Sequence, residues 1–359
     1  MVLSGHFAWV TANRTIAADL SHFGGLAKGT LLDAAVQEYD LTTGMLLGTW
    51  DAFNPGGKPN IPLSQSQQPV PEQSRMPWDA YHVNSISLVG GNEFLVSMRN
   101  TWAAYLVDAA TGKIVWTLSA NPKVVSSFKI ARNAGFSWQH DVELQPGNIV
   151  SIFDDACCQL ANGKIKLPTS PSRGLVLRLD PSRHTASLVA AYPDPHARQP
   201  DSVFLGNTDL LPGGHAVIGW GSTPFLSEFS RSGKLLLDAV WPRPDLSYRA
   251  FKQIWVGLPL YPPSGASVTS HGKTTVYASW NGATEVAAWR VLGGASGAAQ
   301  LQVVVKRAGK TGFETAIPVP VKSATFEVEA LNSAGAVIGT SRSFSVPNSG
   351  SGTGLPQSY

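Results

Sequence analysis

The sequence predicts an all-β protein in which a β-propeller is followed by a fibronectin-III-like β-sandwich. Charged residues make up only 14% of the chain, while Gly (35 residues) and Pro (25 residues) are abundant; this composition is typical of many short strands joined by tight turns. A double-hairpin pattern occurs four times in the first 260 residues, and about seven short strand patterns follow it. These observations predict a propeller over 1–260, a sandwich over 261–346 and a disordered tail over 347–359.

The repeated unit begins with an apolar strand end, a glycine-centred turn and a β-rich run. The four turns contain Gly5, Gly90–Gly91, Gly147 and Gly213–Gly214. A second hairpin follows each time, and its turn is opened by Asp40, Asp108, Asp180 or Ser230. Asp and Ser side chains accept hydrogen bonds from backbone N–H groups in such turns. Two hairpins form a four-stranded sheet, and repetition at roughly 40–70 residues indicates propeller blades.

The first repeat differs from the others at its start. In the other three repeats a strand precedes the glycine turn and is expected to line the central channel, whereas only four residues precede Gly5. We therefore expect the first sheet to lack its innermost strand and the chain to be N-terminally incomplete. Because an unpaired sheet edge favours association with another chain, a homo-oligomer is a possible assembly.

The region after the repeats has a different pattern. Short β-rich runs separated by Gly-rich turns include 275–280, 286–291, 301–305 and 325–330. About seven strands in a segment of this size, with a Trp on an early strand, favour the fibronectin-III-like sandwich. Pro262–Gly265 is the expected linker.

Charge and hydropathy exclude several classes of partner. The formal net charge is +3, and Lys and Arg are scattered without a basic run, so no nucleic acid is expected. No apolar stretch approaches the ~20 residues of a membrane-spanning helix, and the first ten residues show no secretory signal. The adjacent pair Cys157–Cys158 cannot form a disulfide framework or a zinc site alone. Two states of the pair stay open, which are a vicinal disulfide in an oxidising compartment and two reduced, semi-buried thiols beside a loop.

Polar residues on the innermost strands are the candidate ligand-binding groups, because these strands line the channel of a propeller. They are His82, Asn84, His140 and Asn207. A hairpin centred on Gly90–Gly91 places Arg99 directly opposite His82, where Cβ atoms lie about 4.5–5.5 Å apart. Two imidazoles and a guanidinium can bind a tetrahedral oxyanion without a metal.

Neighbouring patterns narrow the chemistry further. Asp141 follows His140 and should point to the opposite face of its strand, so it is not expected to orient that imidazole. No matched carboxylate pair suggests glycosidase chemistry, and no Gly-rich loop precedes a helix to hold nucleotide phosphates.

At these residues the sequence resembles the PAPS-independent arylsulfotransferase family. The resemblance covers about residues 8–260, and its motifs include Tyr81–Ile86 (YHVNSI), Leu95–Thr101 (LVSMRNT), Phe136–Asp141 (FSWQHD), Ile149–Asp155 (IVSIFDD) and Tyr248–Phe251 (YRAF). It implies a six-bladed propeller that moves a sulfuryl group from a phenolic sulfate ester to a phenol acceptor by a ping-pong route through a sulfohistidine. It also implies no cofactor and an extracytoplasmic location.

The resemblance assigns roles to the channel residues. The histidine of the WQH motif, His140, corresponds to the nucleophile, and His82 with Arg99 corresponds to the groups that hold the sulfuryl oxygens. The amides expected to contact the substrate are those of Asn84, Asn100 and Asn207. The family has a further catalytic histidine on the preceding blade, and the equivalent position would lie before Met1. His6 is expected on the second strand of the first sheet, where it is a poor substitute for that histidine. We therefore expect low activity on esters with poor leaving groups.

Two other functions are consistent with the repeat. A non-catalytic extracellular propeller that recognises a ligand would show the same blades. A quinoprotein dehydrogenase is the second alternative, because Asp108–Trp116 resembles the tryptophan-docking repeat of those propellers. The spacing between Gly and Trp is not kept in the repeats that end at Trp50 and Trp241, which disfavours the quinoprotein.

Overall fold

The computed structural model describes residues 1–54, 58–71, 76–157, 159–161, 164–166, 171–196 and 202–345. The chain divides into two compact units, Met1–Lys252 and Gln253–Tyr359. The described residues are strands and loops with three short 3-10 turns, which span Ser21–Phe23, Leu63–Gln65 and Arg99–Thr101. None of these helical turns has the length and hydropathy of a membrane-spanning segment. The predicted tail, 347–359, lies outside the described residues.

The first unit contains four successive antiparallel sheets, as the repeat predicts. The first sheet consists of β1 (Val2–Ser4), β2 (Phe7–Ala18), β3 (Gly29–Asp40) and β4 (Leu46–Asp51). The second consists of β5 (Val83–Val89), β6 (Glu93–Met98), β7 (Ala103–Asp108) and β8 (Ile114–Ser119). In both sheets the spatial order of the strands is their order in the chain, which is the order that two consecutive hairpins produce.

The third and fourth sheets continue this pattern with one addition. The strands of this part are β9 (Lys129–Ile130), β10 (His140–Gln145), β11 (Ile149–Asp154), β12 (Gln159–Ala161), β13 (Lys164–Lys166), β14 (Arg173–Asp180), β15 (Thr185–Pro193), β16 (Asn207–Leu210), β17 (Ala216–Gly219), β18 (Phe225–Phe229) and β19 (Leu235–Val240). The third sheet has the order β10-β11-β14-β15-β9, the strands β12 and β13 form a separate hairpin, and the fourth sheet has the order β16 to β19. The extra strand β9 pairs parallel with β15.

The turns between the third and fourth strand of each sheet form as their residues predict. The carboxylate of Asp40 accepts a hydrogen bond from Thr42 N (2.7 Å), and that of Asp108 accepts one from Thr111 N (2.7 Å). Gly112 closes the second of these turns with φ 68°, a left-handed backbone conformation that favours glycine.

The expectation that the first sheet lacks its innermost strand is wrong. The strand β1 pairs with β2 through Val2↔Trp9, Leu3↔Ala8 and Ser4↔Phe7. The three residues before Gly5 are enough to form this short ladder, because a hairpin turn brings them directly beside the next strand. The innermost position is therefore occupied over three residues.

Alternating side chains of each sheet pack against the two neighbouring sheets. Phe94 packs in the core that the second sheet shares with the first, whereas Leu95 packs in the core shared with the third. Phe153 and Trp220 belong to the core between the third and fourth sheets. Sheets that stack face to face in chain order are typical of propeller blades, and this stacking brings the inner strands β5, β10 and β16 next to one another.

The second unit contains two sheets that share one core. Its strands are β20 (Ser264–Ser270), β21 (Lys273–Ser279), β22 (Ala288–Gly294), β23 (Gln302–Gly309), β24 (Glu314–Val319), β25 (Thr325–Leu331), β26 (Val337–Thr340) and β27 (Phe344–Ser345). One sheet has the order β20-β21-β24, and the other has the order β23-β22-β25-β26 with β27 also paired to β25. Val276 and Ile317 of the first sheet share a core with Trp289 and Phe326 of the second. Ser264 and Gly265, which the sequence analysis assigns to the linker, lie in β20.

Candidate active site

The predicted channel residues lie at the start of the inner strands. His82 immediately precedes β5 and has a left-handed backbone (φ 54°), whereas His140 and Asn207 are the first residues of β10 and β16. The predicted opposition of His82 and Arg99 is present in the backbone, because Arg99 N donates to His82 O at 3.0 Å. Arg99 is not on a strand, however, but begins the 3-10 turn that follows β6.

His140 is held between two partners on opposite edges of its ring. Its Nδ1 lies 2.6 Å from Asp155 Oδ2, and its Nε2 accepts a hydrogen bond from the backbone N–H of Leu205 at 3.2 Å. Because Nε2 accepts, the proton of the neutral ring is on Nδ1, where the carboxylate of Asp155 binds it. The side chain of His140 is 4% exposed, so the tautomer and the ring orientation are both fixed.

Asp155 is a functional residue that the sequence analysis did not assign. It directly follows β11, two residues beyond Phe153, which pairs with His140. Burial raises the pKa of Asp155, and the nearby His140 and Arg99 oppose this effect. The sequence feature that could have identified Asp155 is the IVSIFDD motif, which ends in two aspartates. Only the strand register shows that the second of them contacts the imidazole of His140.

Arg99 is half-buried and interacts electrostatically with the same carboxylate. Its Nη2 donates to Val203 O at 3.0 Å, and its Cζ lies 4.7 Å from the centroid of the Trp138 ring. Burial lowers the pKa of Arg99, while Asp155 and Asp79 oppose this effect. The Nε atom of Arg99 is buried and has no hydrogen-bond partner in the part of the chain that the structure describes. The guanidinium therefore retains donor capacity for an anion.

His82 resembles His140 in its partner and differs in its exposure. Its Nδ1 lies 2.5 Å from Asp79 Oδ2, and its side chain is 45% exposed. Asp79 also acts electrostatically on Arg99. Two carboxylates thus connect the three predicted catalytic side chains. Asp79 contacts His82, Asp155 contacts His140, and both carboxylates interact electrostatically with Arg99.

The three predicted substrate-binding amides have different surroundings. Both polar atoms of the Asn207 side chain bind the backbone of Ala250 (2.7 and 2.8 Å). Asn100 accepts from Arg99 Nη1 at 3.2 Å and donates to Asp79 O at 2.6 Å. Asn84 donates to Gln139 O at 2.7 Å, and its Oδ1 is buried without a partner among the described residues. Only Asn84 has an amide atom left for a substrate.

Arg249 is the second residue that the sequence analysis did not assign. It follows the fourth sheet, and its Nη1 forms an ion pair with Asp141 Oδ1 at 2.7 Å. Its Nη2 donates to Asn84 O at 2.8 Å. Arg249 therefore connects the two inner strands that carry or follow the candidate histidines. No local pattern predicts these two contacts, because Asn84 and Asp141 both lie more than 100 residues before Arg249 in the chain.

The inner strands also carry an acidic group around Asp141. The pKa of Asp141 is raised to about 7, chiefly by burial and also by the carboxylates of Glu143 and Asp209, while Arg249 opposes the shift. Burial likewise raises the pKa of Glu143 and of Asp209.

Among the described residues no group of three or more His, Cys, Asp or Glu side chains has the geometry of a metal site. The predicted Cys157–Cys158 disulfide involves Cys158, which lies outside the described residues.

Comparison with known proteins places this site in a family. The family model described as Arylsulfotransferase (ASST) matches residues 2–241, which include every predicted site residue. No curated protein sequence matches the chain.

Solved structures show only a distant similarity. A putative 6-phosphogluconolactonase from Bacteroides uniformis is 12% identical, with 95% of this chain and 83% of that chain covered and a TM-score of 0.35. The β-propeller domain of Cps50 (Swd1) from Myceliophteria thermophila is 13% identical, with 67% of this chain and 88% of that chain covered and a TM-score of 0.31. These similarities are too low to support an argument about function.

Proposed function

Because the chain belongs to the arylsulfotransferase family, we propose that it transfers a sulfuryl group from a phenolic sulfate ester to a phenol through a sulfohistidine at His140. The observation that carries this proposal is the orientation of His140. Asp155 binds its Nδ1 proton, so Nε2 presents a lone pair, which is the form in which an imidazole acts as a nucleophile. Arg99 adds a cation that contacts Val203 O, two residues before the Leu205 N–H that contacts this nitrogen.

The transfer consists of two substitutions at sulfur. In the first, the Nε2 lone pair attacks sulfur in line, an N–S bond forms, and the S–O bond to the departing phenolate breaks. In the second, the oxygen of the acceptor phenol attacks sulfur, and the N–S bond breaks. Asp155 stabilises the positive charge that the imidazole gains in the first step. Charge on the sulfuryl oxygens is distributed as in phosphoryl transfer, where positioned cations supply most of the stabilisation.

Two contacts of the free protein must be replaced when the donor binds. Leu205 N–H occupies Nε2 of His140, and Val203 O occupies Nη2 of Arg99. Both belong to one short segment, residues 202–206. We propose that the donor displaces this segment, so that sulfur takes the place of the Leu205 N–H and a sulfuryl oxygen takes the place of Val203 O. His82, which is exposed, then binds the same sulfuryl group from the solvent side.

The finer features of the family also remain proposals. We propose that the propeller of the first unit is of the six-bladed family type. We also propose that residues 261–346 form a fibronectin-III-like sandwich, which the two sheets with their shared core support. An extracytoplasmic location is proposed on family membership alone.

Steady-state kinetics tests the proposed transfer. With 4-nitrophenyl sulfate as donor and phenol as acceptor, the protein should release 4-nitrophenolate and form phenyl sulfate, with the parallel-line pattern of a ping-pong reaction. A recognition module, the second candidate, is favoured by the hydrogen bond from Leu205 N–H that already occupies Nε2 of His140, and it would bind the donor without releasing 4-nitrophenolate. Intersecting lines would contradict a covalent intermediate.

A further inference from the structure

We propose that Asp141 is the general acid–base of this reaction. It would give a proton to the departing phenolate in the first substitution and take one from the acceptor phenol in the second. The inference rests on the proposed function and names the group that handles the phenolic proton in both substitutions.

The backbone at Asp141 departs from regular strand geometry. The ladder between β10 and β11 shifts register between His140 and Glu143, and Asp141 has φ 51°. The alternation rule, which would turn consecutive side chains to opposite faces, does not apply across such a bulge. Asp141 is therefore free to direct its carboxyl group towards the same region as the ring of His140.

Backbone hydrogen bonds link the segments that the two side chains contact. His140 Nε2 contacts Leu205, and Asp141 contacts Arg249. The residues next to these two partners are themselves bonded, because Gly206 N donates to Tyr248 O at 3.1 Å. His140 and Asp141 thus contact two segments that are hydrogen-bonded to each other one residue away from each contact, and the proposal places the departing phenolic oxygen between Nε2 and Asp141.

One oxygen of Asp141 has no partner. Oδ1 is paired with Arg249 Nη1, whereas Oδ2 is buried and accepts no hydrogen bond from the described residues. Asp141 as a whole is 1% exposed. A buried polar atom without a partner is costly and uncommon in folded proteins. A proton shared with a phenolic oxygen would satisfy Oδ2 during the reaction.

The charges around Asp141 suit both directions of proton transfer. Arg249 and the chain's N-terminal ammonium favour the carboxylate, whereas burial and the carboxylates of Glu143 and Asp209 favour the acid, with a resulting pKa of about 7. A group that titrates near neutral pH is the most effective proton donor and acceptor there. Asp141 ends the first substitution as the carboxylate and is reprotonated by the acceptor phenol in the second, so the cycle has no net proton change.

The other buried groups of the site are less suitable for this role. Asp155 also has a partnerless oxygen, but it binds Nδ1, on the ring edge away from the nitrogen that attacks sulfur. Arg99 keeps its proton at neutral pH. Asp141 instead contacts Arg249, whose neighbour Tyr248 is bonded to Gly206, the residue after the Leu205 that contacts Nε2.

Two donors with different leaving groups test the assignment on the wild-type protein. Phenyl sulfate needs a proton on its departing oxygen, whereas 4-nitrophenyl sulfate does not, because 4-nitrophenolate is stable as the anion. We expect kcat/KM for phenyl sulfate to fall as pH rises above about 7, and kcat/KM for 4-nitrophenyl sulfate to lack this decrease. Parallel profiles for the two donors would overturn the proposal.

Variants then identify the residue. Asp141→Asn should lower kcat/KM for phenyl sulfate by about 10²-fold or more, and that for 4-nitrophenyl sulfate much less. Glu143→Gln, which removes a carboxylate from the same strand, should keep the decrease for phenyl sulfate but move it to lower pH, since Glu143 raises the pKa of Asp141. Arg249→Met should move the decrease for phenyl sulfate to higher pH, since it removes the cation that lowers the pKa of Asp141.

The outcomes separate this proposal from the proposed function. One outcome is that His140 of the wild-type protein becomes sulfated while Asp141→Asn lowers kcat/KM equally for both donors. This outcome would overturn the role of Asp141 and leave the proposed transfer intact. If the wild-type protein forms no sulfohistidine from 4-nitrophenyl sulfate, both proposals fail. If Asp141→Asn does not fold, the wild-type profiles and Arg249→Met decide the question.

Discussion

His82 and His140 are both paired through Nδ1 with an aspartate, yet their surroundings differ in every other respect. The side chain of His140 is 4% exposed and bonded at both ring nitrogens, whereas that of His82 is 45% exposed, and its Nε2 has no bond to the described residues. A buried imidazole with a fixed tautomer suits covalent chemistry, because Nε2 is held as a lone pair. An exposed imidazole beside a carboxylate suits the binding of an anion that arrives from solvent. The comparison therefore supports the proposal that His140 is the nucleophile and that His82 binds the substrate.

The largest effect should separate the two histidines directly. His140→Ala removes the nucleophile and should lower kcat by roughly 10⁴–10⁶-fold. His82→Ala removes one of several donors to the sulfuryl group and should cost about 10²–10³-fold. The measurement is kcat with saturating 4-nitrophenyl sulfate. Equal losses in the two variants would remove the distinction between nucleophile and binding group.

The two aspartates provide the second comparison. Asp155→Asn should lower kcat by about 10³–10⁴-fold with little change in KM, because an amide can donate to Nδ1 and thereby place the ring proton on Nε2. Asp79→Asn should cost less than about tenfold, since exposed pairs contribute ~0–1 kcal/mol. Steady-state kinetics of both variants would show whether burial of the pair decides its importance. A larger loss in Asp79→Asn would reverse the assignment.

The sequence predicts the local features of this molecule well and the long-range contacts of its site poorly. The turns opened by Asp40 and Asp108 form as expected, because each turn depends on hydrogen bonds within four residues. The pairing of His82 with Arg99 is also local, since one hairpin sets its register. The four-sheet pattern follows from these short-range rules.

Three features of the site lie beyond such rules. Asp155 reaches His140 only because of the register between β10 and β11. Arg249 reaches Asp141 from a segment that follows the fourth sheet, and only the stacking of the sheets brings them together. His82 turns towards Asp79 because of its left-handed backbone, which is uncommon for a residue other than glycine and has no signal in the sequence.

Arg99 allows a sharper test of the shared anion site. Arg99→Lys keeps the charge but loses the planar pair of N–H groups, so kcat/KM should fall by about 10²-fold. Arg178→Lys on β14 is a matched control, because Arg178 donates only to Gly147 O in an exposed position. It should leave kcat/KM unchanged. Near wild-type kinetics in Arg99→Lys would show that charge alone suffices.

The smallest effect concerns stability and its dependence on pH. The pKa of Asp141 is about 7 in the folded protein against 3.8 for an ordinary Asp, so the folded state binds this proton more tightly. The contribution of Asp141 to stability is therefore fully present below pH about 4 and is lost as pH rises through about 7. We expect the free energy of unfolding of the wild-type protein to fall over this range by on the order of a few kcal/mol more than that of Asp141→Asn. Identical pH dependence in urea unfolding would contradict the burial of an ionisable Asp141.

The most direct test is to locate the sulfuryl group after a single half-reaction. The protein is mixed with 4-nitrophenyl sulfate without acceptor, quenched at alkaline pH and digested, and the modified peptide is identified by mass spectrometry, with His140→Ala and His82→Ala in parallel. We predict a sulfuryl group on the His140 peptide of the wild-type protein and of His82→Ala, and none in His140→Ala. A sulfuryl group on His82, or modification that persists in His140→Ala, would contradict the assignment of His140 as the nucleophile.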